Sequence, residues 1–290
     1  IEDQNWRDTY KRIAALNAII ASADEMRPME TDPTAVDRIQ GEAYFLRAQY
    51  YFWLANIYGL PYCKATATTD GCVPLKVSEA VEDRYFERSS CQEVYSQMMA
   101  DLRKSADLLR GKQQSTKYRT CQDAAFALMS RISLYMEDYE AAVAYADSVI
   151  KKNHALLDLN KYKLGDNAVY ASSTETLFTH GANIMAVLHA PAVKYGVNYI
   201  SSGYSSSDDL MSTFDGSDLR RKAFFIDRSL TQGSGFRCVK MRFKAEEVSD
   251  IFAIRLPEVY LNKAEALALL GRDSEAQATL QLLREKRFAP

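Results

Sequence analysis

The chain has 290 residues, of which 47% are hydrophobic and 26% are charged, and its 36 basic and 38 acidic residues give a formal net charge of −2. This length and composition predict a folded protein with a substantial core, and the nearly neutral balance argues against nucleic-acid binding as the main role. No stretch approaches 18 consecutive apolar residues, so the sequence predicts no membrane-spanning helix.

The first third of the chain has the pattern of long helices. Apolar positions spaced by three and four predict one buried helix face, formed by Trp6, Tyr10, Ile13, Leu16, Asn17 and Ile20. The stretch GEAYFLRAQYYFWLANIYG, residues 41–59, is apolar on nearly every side, which is typical of a helix buried among others. Gly59 and Pro61 are expected to end this helix.

Three further helices are predicted before residue 153. Residues 89–109 open with Ser90 three positions before Glu93, the spacing of a capping box, and Thr120 with Asp123 is expected to cap the next helix in the same way. A turn then leads into YEAAVAYADSVIKK, which has an amphipathic pattern. Short links between such helices predict antiparallel pairs.

The same pattern returns in residues 257–287, PEVYLNKAEALALLGRDSEAQATLQLLREKR. Pro257 occupies a position that the first helical turn tolerates, and Gly271 is expected to end that helix. Paired helices of this kind resemble tetratricopeptide units. The predicted fold is therefore mainly α, with helical hairpins as a scaffold.

Residues 156–254 have a different character. They are rich in Ser, Asn, Gly and Tyr, and they lack a helical period. We predict loops, short strands such as TLFTH and one short helix at DDLMSTF. A long irregular segment in a compact protein is usually functional, so this segment is the first place to expect a binding site.

Motifs of catalysis and of metal binding are missing from the sequence. It contains no G-x-S-x-G, P-loop or dinucleotide-binding glycine motif, and His154, His180 and His189 lack metal-ligand spacing. His180 and His189 are interpreted as hydrogen-bonded loop residues. Adjacent Asp208 and Asp209 are better explained by a helix start than by glycoside hydrolysis or calcium binding. We predict no enzyme activity, cofactor or metal.

Five cysteines and 18 tyrosines are the remaining unusual features. The cysteines form no C-x-x-C, so zinc and thioredoxin-like interpretations are weak. Cys63 and Cys72 lie in one loop within YGLPYCKATATTDGCVPL, residues 58–75. A disulfide closing so short a loop would stabilise the fold by about 2.5–3 kcal/mol, but only in an oxidising compartment. Tyrosine rings suit a wet binding surface, although many also fill gaps between helices.

Several phrases together resemble the SusD/RagB family of Bacteroidetes outer-membrane nutrient-uptake lipoproteins. The phrases are GEAYFLRAQYYFWLANIYGLPY, CVPLKVSEAVEDRYFERSSCQEVYSQMMADLRKSADLL, AAFALMSRISLYMEDYEAAVAYADSVI, SDLRRKAFF and IFAIRLPEVYLNKAEALALLGR. They occur in the family's order across residues 6–287. The family's lipid-bearing N-terminal cysteine and its closing segment are not found, and Pro257 replaces the usual Ala, so truncation at both ends is expected.

The resemblance implies one SusD-like domain over residues 1–290, with a helical scaffold at 1–155 and 255–290 and a loop-rich insertion at 156–254. It also implies a non-catalytic, lipid-anchored protein on the cell surface that binds glycans and caps a SusC-like TonB-dependent transporter. Two alternatives remain open: a helical-repeat subunit that contacts only other proteins, and capture of a non-glycan nutrient such as peptide. A helical glycosidase would need an opposed carboxylate pair, which the sequence does not nominate.

The family supplies no fixed ligand motif for this chain, so the predicted site is local. Tyrosine rings can pack against sugar C–H faces while amides bond sugar hydroxyls, and we predict glycan contacts at Tyr195, Asn198, Tyr199 and Tyr204, with Tyr62 as a further member. In the extracellular setting that the resemblance implies, Cys63 and Cys72 are predicted to form a disulfide that pins the loop between the buried helix and the VPL segment.

Overall fold

The structure is a computed structural model that describes residues 3–152, 154–162, 172–181, 193–195, 198–200, 205–227, 235–238, 240 and 253–290. Most of the described chain is helical. Its α-helices are α1 (Gln4–Met26), α2 (Thr34–Tyr58), α3 (Cys91–Leu108), α4 (Gln122–Tyr135), α5 (Tyr139–Ile150), α6 (Asp208–Ser212), α7 (Leu219–Phe224), α8 (Leu256–Leu269) and α9 (Asp273–Arg284). The predicted mainly helical fold is confirmed.

The long helices pack in chain order: α1 contacts α2, α2 contacts α3, α3 contacts α4, and α4 contacts α5. In addition, α8 packs against both α5 and α9. Two ion pairs fasten α8 to the N-terminal helices. Arg131 of α4 binds both carboxylate oxygens of Glu258, with Nη2 2.6 Å from Oε2, and Lys263 Nζ lies 2.7 Å from Asp147 Oδ1 of α5. These contacts join the C-terminal hairpin to the rest of the helical scaffold.

Small residues allow the helices to approach closely. Ala124 and Ala125 of α4 are fully buried in the same core cluster as Phe45 and Tyr51 of α2, and Ala266 of α8 is fully buried in a second cluster with Ala142 of α5. Burial on several sides of α2 agrees with its nearly uniform apolar sequence. The helix ends at Tyr58, and Gly59 is its C-terminal cap, as predicted.

The predicted N-terminal cap of α3 is confirmed, and that of α4 is not. Ser90 and Glu93 form the expected capping box, with both reciprocal hydrogen bonds present. The prediction for α4 is wrong: Cys121 is its N-cap residue and makes no side-chain capping bond, while the Thr120 hydroxyl is buried without a hydrogen-bond partner in the described structure. Thr120 lies one residue too early to reach the free N–H groups of the first turn.

The described parts of residues 156–254 contain short elements. Three two-stranded antiparallel sheets pair β1 (Thr176–Phe178) with β6 (Ile254–Arg255), β2 (Val193–Tyr195) with β3 (Asn198–Ile200), and β4 (Phe225–Asp227) with β5 (Phe236–Cys238). The strand in TLFTH and the short helix in DDLMSTF are confirmed, and Ser207 caps that helix by accepting a bond from Leu210 N at 3.2 Å. The division into scaffold and insertion remains a prediction.

Among the helices of the described residues, none combines the length and apolar character needed to cross a bilayer.

Candidate ligand-binding groove

A segment without regular secondary structure connects α2 to α3 and lies across α1 and α2. We call residues 73–88 the strap. Side chains of α1 and α2 donate hydrogen bonds to its backbone. Tyr10 OH donates to Pro74 O at 2.7 Å, and both Tyr51 OH and Asn17 Nδ2 donate to Lys76 O, at 2.8 Å and 2.9 Å. The strap's path is therefore fixed by polar groups of two helices.

A buried ion pair supports this attachment. Arg47 of α2 donates to Asn17 Oδ1 at 2.8 Å and to the strap carbonyl of Val77 at 3.2 Å, while its other nitrogens bind Asp101 of α3. Burial alone would lower the pKa of Arg47, but the hydrogen bonds and charge of Asp101 outweigh burial and raise it. Arg47 therefore stays charged and keeps its donors directed at the strap.

The strap and α1 enclose an open groove of about 900 Å³. Its lining combines aromatic rings with charged groups: Trp6, Tyr10, Pro74, Lys76, Tyr85, Phe86, Glu87 and Arg88. The Trp6 ring lies 5.0 Å from the rings of both Tyr10 and Tyr58, and Tyr58 OH donates to Asp3 Oδ2 at 2.7 Å. Trp6 is thereby fixed at one end of the groove.

On the strap side of the groove, ion pairs order the charged residues. Lys76 Nζ lies 2.7 Å from Glu82 Oε1, Arg84 Nε lies 2.5 Å from Glu82 Oε2, and the Arg84 guanidinium sits 4.2 Å from the Phe86 ring centroid. The hydrogen bonds from Lys76 and Arg84 lower the pKa of Glu82 to about 2. Arg88 donates to Tyr58 O at 2.8 Å and also to Cys72 O, so it anchors the far end of the strap.

Tyr85 is the most accessible ring of the groove, with 90% of its surface exposed. A groove that is lined by an exposed ring, a fixed tryptophan, a lysine and a carboxylate can pack on the apolar faces of a sugar and bond its hydroxyls. In the described residues, no group of three or more His, Cys, Asp or Glu is placed to hold a metal ion.

The structure places the predicted site residues in separate regions. Tyr62 is half-buried beside α3, where its hydroxyl donates to Gln92 Oε1 at 2.8 Å and its ring lies 4.9 Å from that of Tyr95; it does not line the groove. Tyr195 faces Asn198 across the β2–β3 hairpin. The side chains of that hairpin lie outside the described residues.

The same hairpin also contains Tyr199, paired in register with Lys194, whereas Tyr204 lies outside the described residues. Three of the predicted contacts thus share one hairpin, but their role as ligand contacts stays a prediction.

Sequence reasoning did not nominate the groove. Trp6 and Tyr10 fit the apolar face of α1, which predicts helix packing, and the sequence of the strap indicates only the family resemblance. The available signal is the cluster RYFER at residues 84–88, where two adjacent aromatic residues lie between charged ones just before a capping box. Such a cluster cannot be buried entirely, so it predicts an exposed surface with rings.

Cys63, Cys72 and Cys91 are all free thiols in this structure, and the Cys63–Cys72 disulfide stays a prediction. Cys63 begins a tight turn, because its carbonyl accepts hydrogen bonds from Thr66 N and Ala67 N, and its side chain is exposed. Cys72 is completely buried, with its Sγ against Gly59 and the Cys91 thiol. One loop contains both residues, but their side chains point into different environments.

The described histidines are bound to neighbouring side chains. His180 Nε2 lies 2.8 Å from Gln49 Oε1, which confirms its interpretation as a hydrogen-bonded loop residue, and His154 Nε2 lies 2.8 Å from Asp123 Oδ2. His189 lies outside the described residues. Asp208 and Asp209 occupy the first turn of α6, as predicted.

A second, smaller cavity of about 350 Å³ lies near the C-terminal helices. Its lining is basic and apolar, and includes Arg220, Phe224, Lys240, Arg255, Arg284, Arg287 and Phe288. Buried Glu175 binds Arg255 Nη2 at 2.7 Å and also pairs with Arg287. Because Glu175 joins β6 to the end of α9, these ion pairs have a clear structural role.

Residues 2–134 match the SusD-like family described as "Starch-binding associating with outer membrane". Over 292 aligned residues the chain is 26% identical to SusD-like protein P2 of Formosa agariphila, an alignment that covers 93% of this chain and 54% of that protein. The chain therefore spans about half the length of this curated relative.

Solved structures share the fold. A SusD superfamily protein from Bacteroides thetaiotaomicron has a TM-score of 0.81 at 24% identity, covering 98% of this chain and 66% of that one. A SusD-like carbohydrate-binding protein from Bacteroides vulgatus has a TM-score of 0.78 at 24% identity, and the match covers 99% of this chain and 62% of that one. A laminarin-binding SusD-like protein has a TM-score of 0.68 at 20% identity, and the match covers 100% of this chain and 72% of that one.

Proposed function

We propose that this chain is a member of the SusD/RagB family and a non-catalytic binding protein that captures an oligo- or polysaccharide at the outer membrane. The observation that carries the proposal is the groove, in which Trp6, Tyr85 and Phe86 line about 900 Å³ of open space together with Lys76 and Glu87. That volume suits several sugar units, since pockets for drug-sized ligands span roughly 300–1,000 Å³.

The groove's chemistry favours a glycan. Sugars present apolar C–H faces and many hydroxyls, so they need flat rings together with polar groups that both donate and accept. The Tyr85 ring is open to solvent, and Trp6 is fixed by its contacts with Tyr10 and Tyr58. Rings that are already ordered lose little conformational entropy when the ligand binds.

The proposal extends to location and partners. Outer-membrane association agrees with the description of the matching family. Cell-surface exposure, a lipid anchor and delivery of the glycan to a SusC-like TonB-dependent transporter are proposed on the family resemblance. We also propose that residues 1–290 form one SusD-like domain, and that Tyr195, Asn198, Tyr199 and Tyr204 form a second contact region, with Tyr62 as a further contact.

A titration of the purified chain tests the proposal. Soluble starch, laminarin oligosaccharides and a panel of other glycans would be titrated by calorimetry, with heat-denatured protein as the control. We expect saturable binding of at least one glycan. No release of reducing ends is expected during prolonged incubation, and such release would contradict a non-catalytic role.

The second candidate function is a protein-interaction subunit of the uptake complex. The strap exposes Val77, Val81 and Tyr85, and several exposed apolar side chains on one segment favour a protein contact. Co-purification with the transporter, without affinity for any saccharide, would favour this function. Saturable binding of peptides instead of glycans would identify a peptide-capturing protein.

A further inference from the structure

Cys72 and Cys91 bring their side chains together at the base of the strap. Cys72 directly precedes the strap, and Cys91 is the first residue of α3. Both are fully buried, and the Cys91 thiol is close enough to add to the rise in the pKa of Cys72, after the larger effect of burial. The Cys91 Sγ lies 3.5 Å from Leu60 O, and the Cys72 Sγ lies against the neighbouring Gly59, so both sulfur atoms lie beside the segment that follows α2.

The backbone around the two cysteines is already held in place. Cys72 N donates to Ser89 O and Cys91 N donates to Asp70 O, each at 2.8 Å, and Gly71 pairs with Ser90 in an antiparallel bridge. A disulfide needs its two residues at close range with their side chains directed toward each other. Here the two residues lie on adjacent backbone segments that are already hydrogen-bonded to each other, and both side chains are buried.

We propose that Cys72 and Cys91 form a disulfide that joins the two ends of the strap. The strap supplies Pro74, Lys76, Tyr85, Phe86, Glu87 and Arg88 to the groove, so this bond would close a loop that carries most of the groove's lining. An oxidising setting is required, and that part rests on the proposed outer-membrane location. The side-chain contact itself does not depend on the proposed function.

The oxidant is a protein disulfide or a small-molecule disulfide. One cysteine thiolate attacks it, forming a mixed disulfide and releasing one thiolate; the second cysteine thiolate then attacks the mixed disulfide and expels the other. Two electrons pass from the protein thiols to the oxidant, and the two released thiolates take up the two protons. The products are one protein disulfide and two thiols.

Burial determines when this exchange can occur. Loss of hydration raises the pKa of Cys72 to about 12, so in the folded protein its sulfur is almost entirely protonated at neutral pH. Since the thiolate is the reactive form, exchange takes place while the strap is still open during folding. Cys63 is exposed and therefore serves as the reactive comparison thiol.

The test is refolding of the full chain in a mixture of reduced and oxidised glutathione. Free thiols are then alkylated, and the digested protein is mapped by mass spectrometry without reduction. We expect a Cys72–Cys91 linked peptide pair and alkylated Cys63. Recovery of a Cys63–Cys72 pair, or of Cys72 and Cys91 both alkylated after refolding, would overturn the proposal.

Thermal unfolding provides a second measurement. A disulfide around the 20 residues from Cys72 to Cys91 predicts that reduction lowers Tm by roughly 5–10 °C. Cys63→Ser should retain this shift, whereas the double variant Cys72→Ala/Cys91→Ala should show none. Equal shifts in both would contradict the assignment. Neither measurement requires glycan binding, so failure here and failure of the proposed function are distinguishable.

Discussion

Arg47 and Asp101 form a two-point ion pair between α2 and α3, with Nε 2.8 Å from Oδ2 and Nη2 2.7 Å from Oδ1. Both side chains are at least 95% buried. The remaining Arg47 nitrogen reaches Asn17 and the strap carbonyl of Val77. One buried cation thus links the helical scaffold to the wall of the groove.

Breaking this pair is expected to destabilise the protein strongly. Arg47→Met would leave the Asp101 carboxylate buried without its partner, which typically costs about 3–5 kcal/mol of unfolding free energy. Urea denaturation followed by circular dichroism measures the change. The double variant Arg47→Met/Asp101→Leu should recover part of the loss, because it buries no unpaired charge. A loss below about 1 kcal/mol for Arg47→Met would show that the pair is not structurally important.

Gly59 is predicted to be intolerant of a side chain. A Cβ at this position would lie 2.7 Å from Ala55 O and 2.9 Å from Cys72 Sγ, so Gly59→Ala should destabilise the fold by about 1–3 kcal/mol. Gly71→Ala is the matched control, because its Cβ would meet only Arg88 Cδ at 3.8 Å. Chemical denaturation of the two variants should separate them, and equal midpoints would contradict the close packing at the end of α2.

The carboxylate of Glu82 provides a pH prediction. Its pKa is lowered to about 2 by Lys76 and Arg84, so its ion pairs add to folded-state stability above the unfolded value near 4.3, and that contribution disappears as pH falls from there toward 2. NMR titration of the side-chain carboxyl carbon should show a midpoint near 2 in the wild type. In Lys76→Met the midpoint should move toward 4. A wild-type midpoint already near 4.3 would mean that these ion pairs do not persist in solution.

The scaffold could be predicted from sequence because its information is local. Apolar spacing, the Ser90–Glu93 capping box, and Gly59 and Gly271 at helix ends each act within one or two turns. The failed cap at Thr120 was an error of one residue, which is the usual scale of uncertainty at a helix boundary.

The groove could not be predicted in the same way, because residues distant in sequence determine the path of the strap. Its carbonyl groups accept hydrogen bonds from Tyr10 and Asn17 of α1 and Tyr51 of α2. No local pattern in the sequence of the strap predicts these bonds. The pairing of the cysteines is not determined by local spacing either. Proximity in sequence suggested Cys63 for Cys72, whereas the direction of the buried side chain places Cys72 against Cys91.

The claim that the groove binds glycans is tested most directly by calorimetric titration of Tyr85→Ala against Val81→Ala. Both residues lie in the strap and are at least 90% exposed, but only Tyr85 lines the groove, so neither substitution should change stability by more than about 0.5 kcal/mol. Loss of an aromatic contact of about 1 kcal/mol or more predicts at least about fivefold weaker binding for Tyr85→Ala, with Val81→Ala unchanged. Wild-type affinity in Tyr85→Ala would place the glycan elsewhere on the protein.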